Sequence, residues 1–336
     1  MIIKSISDIR EITEELIELR EGPYRNHVTK PNIMWKKCLE MMSFIYDLSD
    51  ESLQKIRLHT GFGFFIGSNW STCYYEKQEI ELGIKKLSES RYIEDYNKLT
   101  RNISEEYLCS EIDINRSLIS IKYNDLFINE DVLRVQSTIS NLSCLSDCNI
   151  NKYLEVGGGY GGLCNQFRKL FKPRQSIIID HPEVIFWSAV YTFINNPGCS
   201  IEIVNDNSKI SNSDFVFIPT YFTNVLENEK IDLLVNENSF SEMTSDQVNY
   251  YLDTIPFELL YTNNRDKQFM NNELNSLNSL IVKKLKTAPD LSFYEKIYNK
   301  SDMHNQKYHM FASKNIELLP DFDHNNICGL TIRTEF

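Results

Sequence analysis

No stretch of these 336 residues is apolar for long enough to cross a bilayer, and the opening MIIKSISDIR reaches charge after three apolar residues. Neither a membrane span nor a secretory leader is expected. An excess of basic residues is also missing. Lys and Arg total 35 against 47 Asp and Glu, a net charge of -12, and such a field repels a phosphate backbone, so nucleic acid is not an expected partner. The eight cysteines are scattered, and only Cys144 and Cys148 lie close together, without a second pair at zinc spacing. That pattern argues for reduced thiols packed as small apolar residues. Internal repeats are absent. A cytoplasmic globular protein is the class left standing.

What is present begins with an ordinary share of hydrophobic residues, 42%, and an aromatic share of 12% that suits a protein with pockets to line. The length exceeds what one hydrophobic centre usually serves, so two units are expected. In SISDIREITEELIELREGP, Ile6, Ile9, Ile12, Leu16 and Leu19 recur at helical spacing. Ser5 and Asp8 form a candidate capping box there, and Gly22-Pro23 a stop. A second amphipathic helix is predicted from Pro31, with Trp35, Leu39 and Met42 on one face. Residues 61–75, GFGFFIGSNWSTCYY, have no clean period. They read either as a buried loop or as a substrate wall in which Trp70 and Tyr74 lay aromatic faces against a sugar.

Residues 86–148 are polar and helix-leaning. From Ile150 the pattern changes to short β-rich runs separated by helical stretches: NKYLEV, QSIIID, DFVFIP, IDLLVN and FELLYT. Strands alternating with helices predict an α/β fold with a mostly parallel sheet covered on both faces. The expected division is a mainly helical unit over residues 1–148 and a nucleotide-binding domain over 149–336. The first unit reads as a cap over the sheet's carboxyl edge, or alternatively as the surface of a homodimer.

The stretch LEVGGGYGG, residues 154–162, supports two ligands. As Gly157-x-Gly159-x-x-Gly162 it is a dinucleotide fingerprint, which implies a nicotinamide-dependent oxidoreductase. As Glu155-x-Gly157-x-Gly159-x-Gly161 it is the first motif of S-adenosylmethionine-dependent methyltransferases. Glu155 separates the two, because a carboxylate at that strand end suits a cationic ligand better than a pyrophosphate. Asp180, about twenty residues past the glycines, is placed to take ribose hydroxyls in either case.

The stretches LEVGGGYGGL, IDHPEV, LLVNENSFSEMT and YTNNR together resemble the class I S-adenosylmethionine-dependent methyltransferases, and within them the bacterial sugar O-methyltransferases. The resemblance covers residues 150–265, with His181 where Leu is more usual. It implies a Rossmann-like sheet of seven strands whose last two are KYHMFAS and CGLTIRTEF. It further implies Glu155 near the methionine ammonium, the turn Gly157, Gly158, Gly159, Tyr160 and Gly161 along the donor, and Asp180 on the ribose. His181, Asn236, Glu237 and Asn238 complete the implied donor site. The adenine pocket falls after DFVFIP, at Pro219, Thr220 and Tyr221, or else near Asp206.

Methyl transfer needs positioning and a proton acceptor. Glu242, in the donor- and acceptor-rich NENSFSEM, is the candidate base; its plainer role is a carboxylate at a helix N-terminus. His181 is the second acid-base candidate, or simply a turn histidine. Ser239, Glu242 and Arg265 join Trp70 and Tyr74 as candidate acceptor contacts, and Arg265 suits an acidic or nucleotide-linked sugar, or else an exposed ion pair. A divalent metal is compatible with the abundant carboxylates, but no ligand spacing marks a site. The expected activity is O-methylation of a sugar hydroxyl on a polysaccharide or its precursor. A silent S-adenosylmethionine-binding subunit is the non-enzymatic alternative.

Overall fold

Residues 1–58, 89–206, 209–267, 271–286, 292–298 and 307–313 are described by a computed structural model of the chain. The N-terminal part holds α1 (Ile6–Glu21), α2 (Ile33–Met42), α3 (Glu89–Thr100), a hairpin of β1 (Ile121–Tyr123) and β2 (Leu126–Ile128), and α4 (Glu130–Leu142). The remainder runs β3 (Lys152–Val156), α5 (Gly162–Phe171), β4 (Gln175–Asp180), α6 (Pro182–Asn195), β5 (Ile201–Ile203), β6 (Phe215–Pro219) and β7 (Ile231–Glu237). It continues through α7 (Ser245–Thr254), β8 (Phe257–Arg265), α8 (Leu277–Lys286), β9 (Ser292–Tyr298) and β10 (Lys307–Ser313).

The large sheet has the order β5-β6-β4-β3-β7-β8-β10-β9. Neighbours from β5 to β8 pair parallel, and β10 pairs antiparallel with both β8 and β9. All six residues of β4 and all five of β6 are buried, the mark of strands covered on both faces. The five predicted strands of this region are present, and KYHMFAS forms β10. The count differs from the seven expected: short β5 extends one edge, and β9 occupies the other. Residues 328–336, expected to be the last strand, lie outside the described residues.

The capping box predicted for α1 is formed, with Ser5 Oγ accepting the Asp8 N–H and the Asp8 side chain reaching back to the Ser5 N–H; Gly22 ends the helix. Its apolar stripe packs on α6, and the Arg20 guanidinium makes two hydrogen bonds, of 2.7 and 2.8 Å, to buried Glu183. The start of α2 falls two residues later than predicted. Asn32 is its cap, accepting the Trp35 N–H at 3.0 Å, and Pro31 precedes the cap. The hairpin inside the helix-leaning segment was not anticipated, although Asn124-Asp125 between IKY and LFI is a turn signal, and Asn124 has a φ of 52°.

One apolar core joins the parts, containing Ile9, Leu16, Ile139 and Leu142 together with Leu154, Ile178, Phe217 and Leu234. Cys38, Cys109, Cys144, Cys148, Cys164 and Cys199 are free thiols. Among the described residues no helix is long and apolar enough to cross a membrane. The chain leaves β3 towards β4 and β6, then returns to lay β7 on β3's other side. This reversal opens a crevice at the carboxyl ends of β3 and β7, where ligands gather in sheets of this kind.

Candidate functional site

At the reversal the ladder between β3 and β7 ends with Glu155 beside Val235, and the next carbonyl of β3, that of Val156, has no strand partner there. Two side chains replace the strand: Asn236 Nδ2 donates to it at 2.8 Å and Ser239 Oγ at 2.9 Å. Ser239 is thereby drawn against the glycine turn. A Cβ on Gly157 would sit 2.2 Å from Ser239 Oγ, and its φ of 73° is a second reason for glycine. Gly159 follows with its N–H donated to Asp180 Oδ2 at 3.0 Å, while Asp180 Oδ1 accepts the His181 N–H at 2.8 Å.

A pocket opens over this turn. Of the residues predicted from sequence, Gly157, Gly159, Asp180, His181, Thr220, Glu237, Asn238, Ser239 and Glu242 line it. Others do not. Asn236 is fully buried, committed to Val156, Ser239 and Asn264. Tyr160 turns away, its ring 4.6 Å from the Arg57 guanidinium. Tyr221 turns towards α1, donating its hydroxyl to Leu16 O at 2.6 Å. Gly158, Gly161, Pro219 and Arg265 also lie outside the lining, and Trp70 and Tyr74 fall outside the described residues. Glu155 stands behind the pocket rather than in it. Its carboxylate accepts the Tyr153 hydroxyl at 3.1 Å, on the same sheet face as Glu237.

Sequence reasoning missed Thr29, Asn32, Trp35, Met243, Gln247 and Tyr251, which complete the lining with the strand residues Val156 and Ile179. The first three lie on a strap before and into α2, fastened to the far side of the site. Asn32 Nδ2 donates to Glu242 O at 2.5 Å, Trp35 Nε1 to Glu242 Oε2 at 3.1 Å, and Gln247 Nε2 to Lys30 O at 2.7 Å. Asn32 carried a usable signal, since Asn at the start of an amphipathic helix is a favoured N-cap. Glu242 lies outside α7, which begins at Ser245 with Thr244 and Gln247 as its capping box, and instead closes the short 3-10 turn Ser239–Glu242.

The electrostatics are those of buried acids. Burial pushes the Asp180 carboxyl up to about 7, although its two backbone hydrogen bonds oppose this. Burial, and then the charge of Glu237, push Glu155 well above the usual carboxylate range. The His181 imidazole is forced down to about 3 by burial and then by Arg20, so the ring is neutral at physiological pH. Its Nδ1 is buried without a hydrogen-bond partner, and the ring lies 6.0 Å from that of Trp35. No group of His, Cys, Asp and Glu able to hold a metal ion occurs among the described residues.

No family model and no curated protein matches this chain. Solved structures do. M. capricolum TrmK with S-adenosyl-homocysteine aligns at a TM-score of 0.36 and 11% identity, covering 52% of this chain and 68% of that one. The plantazolicin methyltransferase BamL, in complex with a triazolic desmethylPZN analogue and S-adenosyl-homocysteine, aligns at 0.37 and 11%, covering 83% and 98%. Magnesium protoporphyrin IX methyltransferase from Synechocystis PCC 6803, with bound S-adenosyl-homocysteine, aligns at 0.38 and 9%, covering 70% and 100%.

Two outcomes follow from this geometry. Gly157→Ala combines a strained φ with a collision, so it should lower unfolding free energy by at least about 2 kcal/mol. Adding Ser239→Gly should recover part of that loss in a double-mutant cycle measured by urea unfolding. The second concerns Asp180. Its folded pKa of about 7 exceeds the unfolded value of about 3.9, so between these limits the folded state keeps a proton the unfolded state has lost. Its contribution to stability therefore falls as pH rises from about 4 to 7. Relative to Asp180→Asn, the wild-type chain should lose about 2–3 kcal/mol between pH 5 and 8 at 1.36 kcal/mol per unit, read from denaturant unfolding at both pH values.

Proposed function

We propose that this chain is an S-adenosylmethionine-dependent methyltransferase that transfers the methyl group to a hydroxyl. The observation that carries the reading is the composition of the pocket at the sheet's reversal: Asp180, Glu237 and Glu242 line it and, among the described residues, no lysine or arginine does. A dinucleotide's pyrophosphate calls for cations or a helix N-terminus, and Gly161 and Gly162 at the start of α5 lie outside the lining. S-adenosylmethionine carries a sulfonium and an ammonium and no phosphate, which agrees with three carboxylates.

In this reading Asp180 takes the ribose hydroxyls. Each of its oxygens already accepts one backbone N–H and keeps a lone pair for a ligand. Gly157 and Gly159 allow close backbone approach, Thr220 lies at the base end, and Glu237 and Asn238 lie at the methionine end. The donor, when bound, supplies a methyl group on an activated sulfur. The acceptor oxygen forms its bond to that carbon as the carbon–sulfur bond breaks, and the hydroxyl proton leaves. Glu242 is the residue assigned to accept it. The Trp35 indole N–H donated to Oε2 orients the carboxylate. His181, held neutral, serves better as a wall than as a proton store.

A sugar hydroxyl is the acceptor favoured by the motif resemblance, and Trp35 offers an aromatic face at the pocket that suits a sugar's C–H face. The nucleotide-linked form of that acceptor has less support, because Arg265, the residue suited to an anionic group, is not in the lining.

Titration calorimetry with S-adenosylmethionine, S-adenosyl-homocysteine and the nicotinamide dinucleotides tests the donor. The first two should bind and the dinucleotides should not; the reverse would make the glycine turn a pyrophosphate site. Glu242→Gln should retain donor binding within about twofold and lose on the order of 10²–10⁴ in turnover. The readout is transfer of labelled methyl to a panel of glycosides, and normal turnover in that variant would remove Glu242 from the base role.

A further inference from the structure

The strap beside the pocket reverses the sign of the chain's charge. Between Glu21 and Glu40 there is no acid, while Arg25, Lys30, Lys36 and Lys37 carry four positive charges, in a chain whose net charge is -12. All four are exposed. Among the described residues none of them is in an ion pair, in contrast to Arg10 with Asp50 and Lys55 with Glu51 on the segments either side. A second acid-free stretch, residues 156–179, also holds four cations, Arg168, Lys169, Lys172 and Arg174. Those fall between the end of α5 and the start of β4, at the amino ends of the strands and away from the pocket, and Arg168 is paired with Asp214.

Connectivity places the strap's lysines at the rim. Lys30 follows the lining residue Thr29, and its carbonyl accepts Nε2 of Gln247, also in the lining, at 2.7 Å. Lys36 follows the lining residue Trp35, and its N–H is donated to Asn32 O at 2.8 Å. Consecutive Cα atoms are about 3.8 Å apart, so each lysine starts one residue from the pocket wall and ends in solvent. Carboxylates line the pocket, and cations stand on the outer surface of one of its walls. The first agree with a cationic donor inside. The second meet whatever part of an acceptor remains outside.

Resting on the sugar-acceptor reading above, we propose that the acceptor is an acidic oligosaccharide, bearing phosphate or carboxylate groups, and that Arg25, Lys30, Lys36 and Lys37 hold its charged units at the rim while one hydroxyl enters the pocket. The cations are spread along the strap from Arg25 to Lys37, which matches a chain of repeated charges better than a single anion. Charges beyond about 8 Å are largely screened at physiological ionic strength. A short acidic glycan on the strap is therefore governed by these four groups and not by the chain's net charge. A longer polyanion such as a nucleic acid extends past the strap towards α1, whose exposed residues include Glu11, Glu14, Glu15, Glu18 and Glu21.

The test is binding of fluorescein-labelled oligosaccharides to the full chain, read by fluorescence anisotropy. Oligogalacturonate supplies the carboxylate, a phosphorylated maltodextrin the phosphate, and unmodified maltodextrin the neutral reference. At low salt at least one acidic probe should bind on the order of tenfold more tightly than the neutral one, as a few exposed charge pairs together supply. The difference should vanish between about 0.05 and 0.5 M NaCl, and the tighter acidic probe names the acid. Lys30→Glu combined with Lys36→Glu should abolish the preference. Lys169→Glu combined with Arg174→Glu changes the net charge equally at the other end of the sheet and should keep it. All four substituted residues are exposed, and an unchanged melting temperature reports an intact fold.

Equal binding of acidic and neutral probes, or binding of none, would overturn the proposal and leave the methyltransferase reading standing. A preference lost to the same extent in both double variants would reduce it to net charge and remove the assignment to the strap. Tighter binding of a single-stranded RNA of matched charge would exclude the glycan class. Failure of S-adenosylmethionine to bind, with the acidic preference intact, would instead sink the methyltransferase reading and leave the strap as a glycan site.

Discussion

The carbonyl of Val156 is the group on which the site depends. In a parallel sheet every strand's carbonyl is satisfied by its neighbour, until the chain reverses direction across the sheet and two neighbours part. A buried carbonyl without a donor costs about 1–3 kcal/mol, so the parting strands need side-chain donors. Asn236 and Ser239 supply them. Asn236 is held in turn by Phe240 N–H and by Asn264 Nδ2, which also reaches Thr262 Oγ1. The consequence is that the ends of β3, β7 and β8 are locked together by one polar network. Gly157 is glycine because that network leaves no room for a Cβ.

Around this lock the chemistry is set by burial of acids. Asp180 and Glu155 are 7% and 3% exposed, and both carboxyls are harder to ionise than in water. Buried charge of one sign is unfavourable unless something of the other sign arrives. Two buried arginines among the described residues are paired with acids of their own, Arg20 with Glu183 and Arg57 with Glu111 and Asp131. Asp180, Glu237 and Glu242 line the pocket, and no lysine or arginine among the described residues does.

Legibility in the sequence followed the strength of the local constraint. QSIIID and DFVFIP are continuous apolar runs that only a doubly covered strand explains, and α1 announces itself by its cap and stripe. Gly157, Gly159, Asp180 and Glu242 were legible as candidates because each falls in a short stretch at the carboxyl end of a strand, and the fold brings those ends to one pocket. Tyr160 and Tyr221 were misjudged because a loop residue's side-chain direction has no period to read. Asn236 was taken as a ligand contact when its amide is spent on the backbone of another strand, a demand that exists only once β3 and β7 lie side by side. Trp35 shares its helix face with Leu39 and Met42, which are buried in the core, so its pattern is that of core. Its role at the pocket comes from a contact with Glu242, 207 positions away, which no local rule contains.

The N-terminal segment is part of the site's foundation. In α6 the sequence PEVIFWSAVYT is buried from Pro182 to Thr192 without interruption, a helix apolar on all sides. One side lies on the sheet, and the other requires cover that the sheet cannot give. The stripe of α1 provides it, with the Arg20–Glu183 pair closing its end. That packing delivers the chain at Gly22 to the edge of the pocket, from which the strap through Thr29, Asn32 and Trp35 crosses to Glu242 and Gln247. The wall that completes the pocket is therefore a by-product of burying α6. A helix this apolar could not have been left bare, and covering it placed an indole N–H against the carboxylate assigned as base.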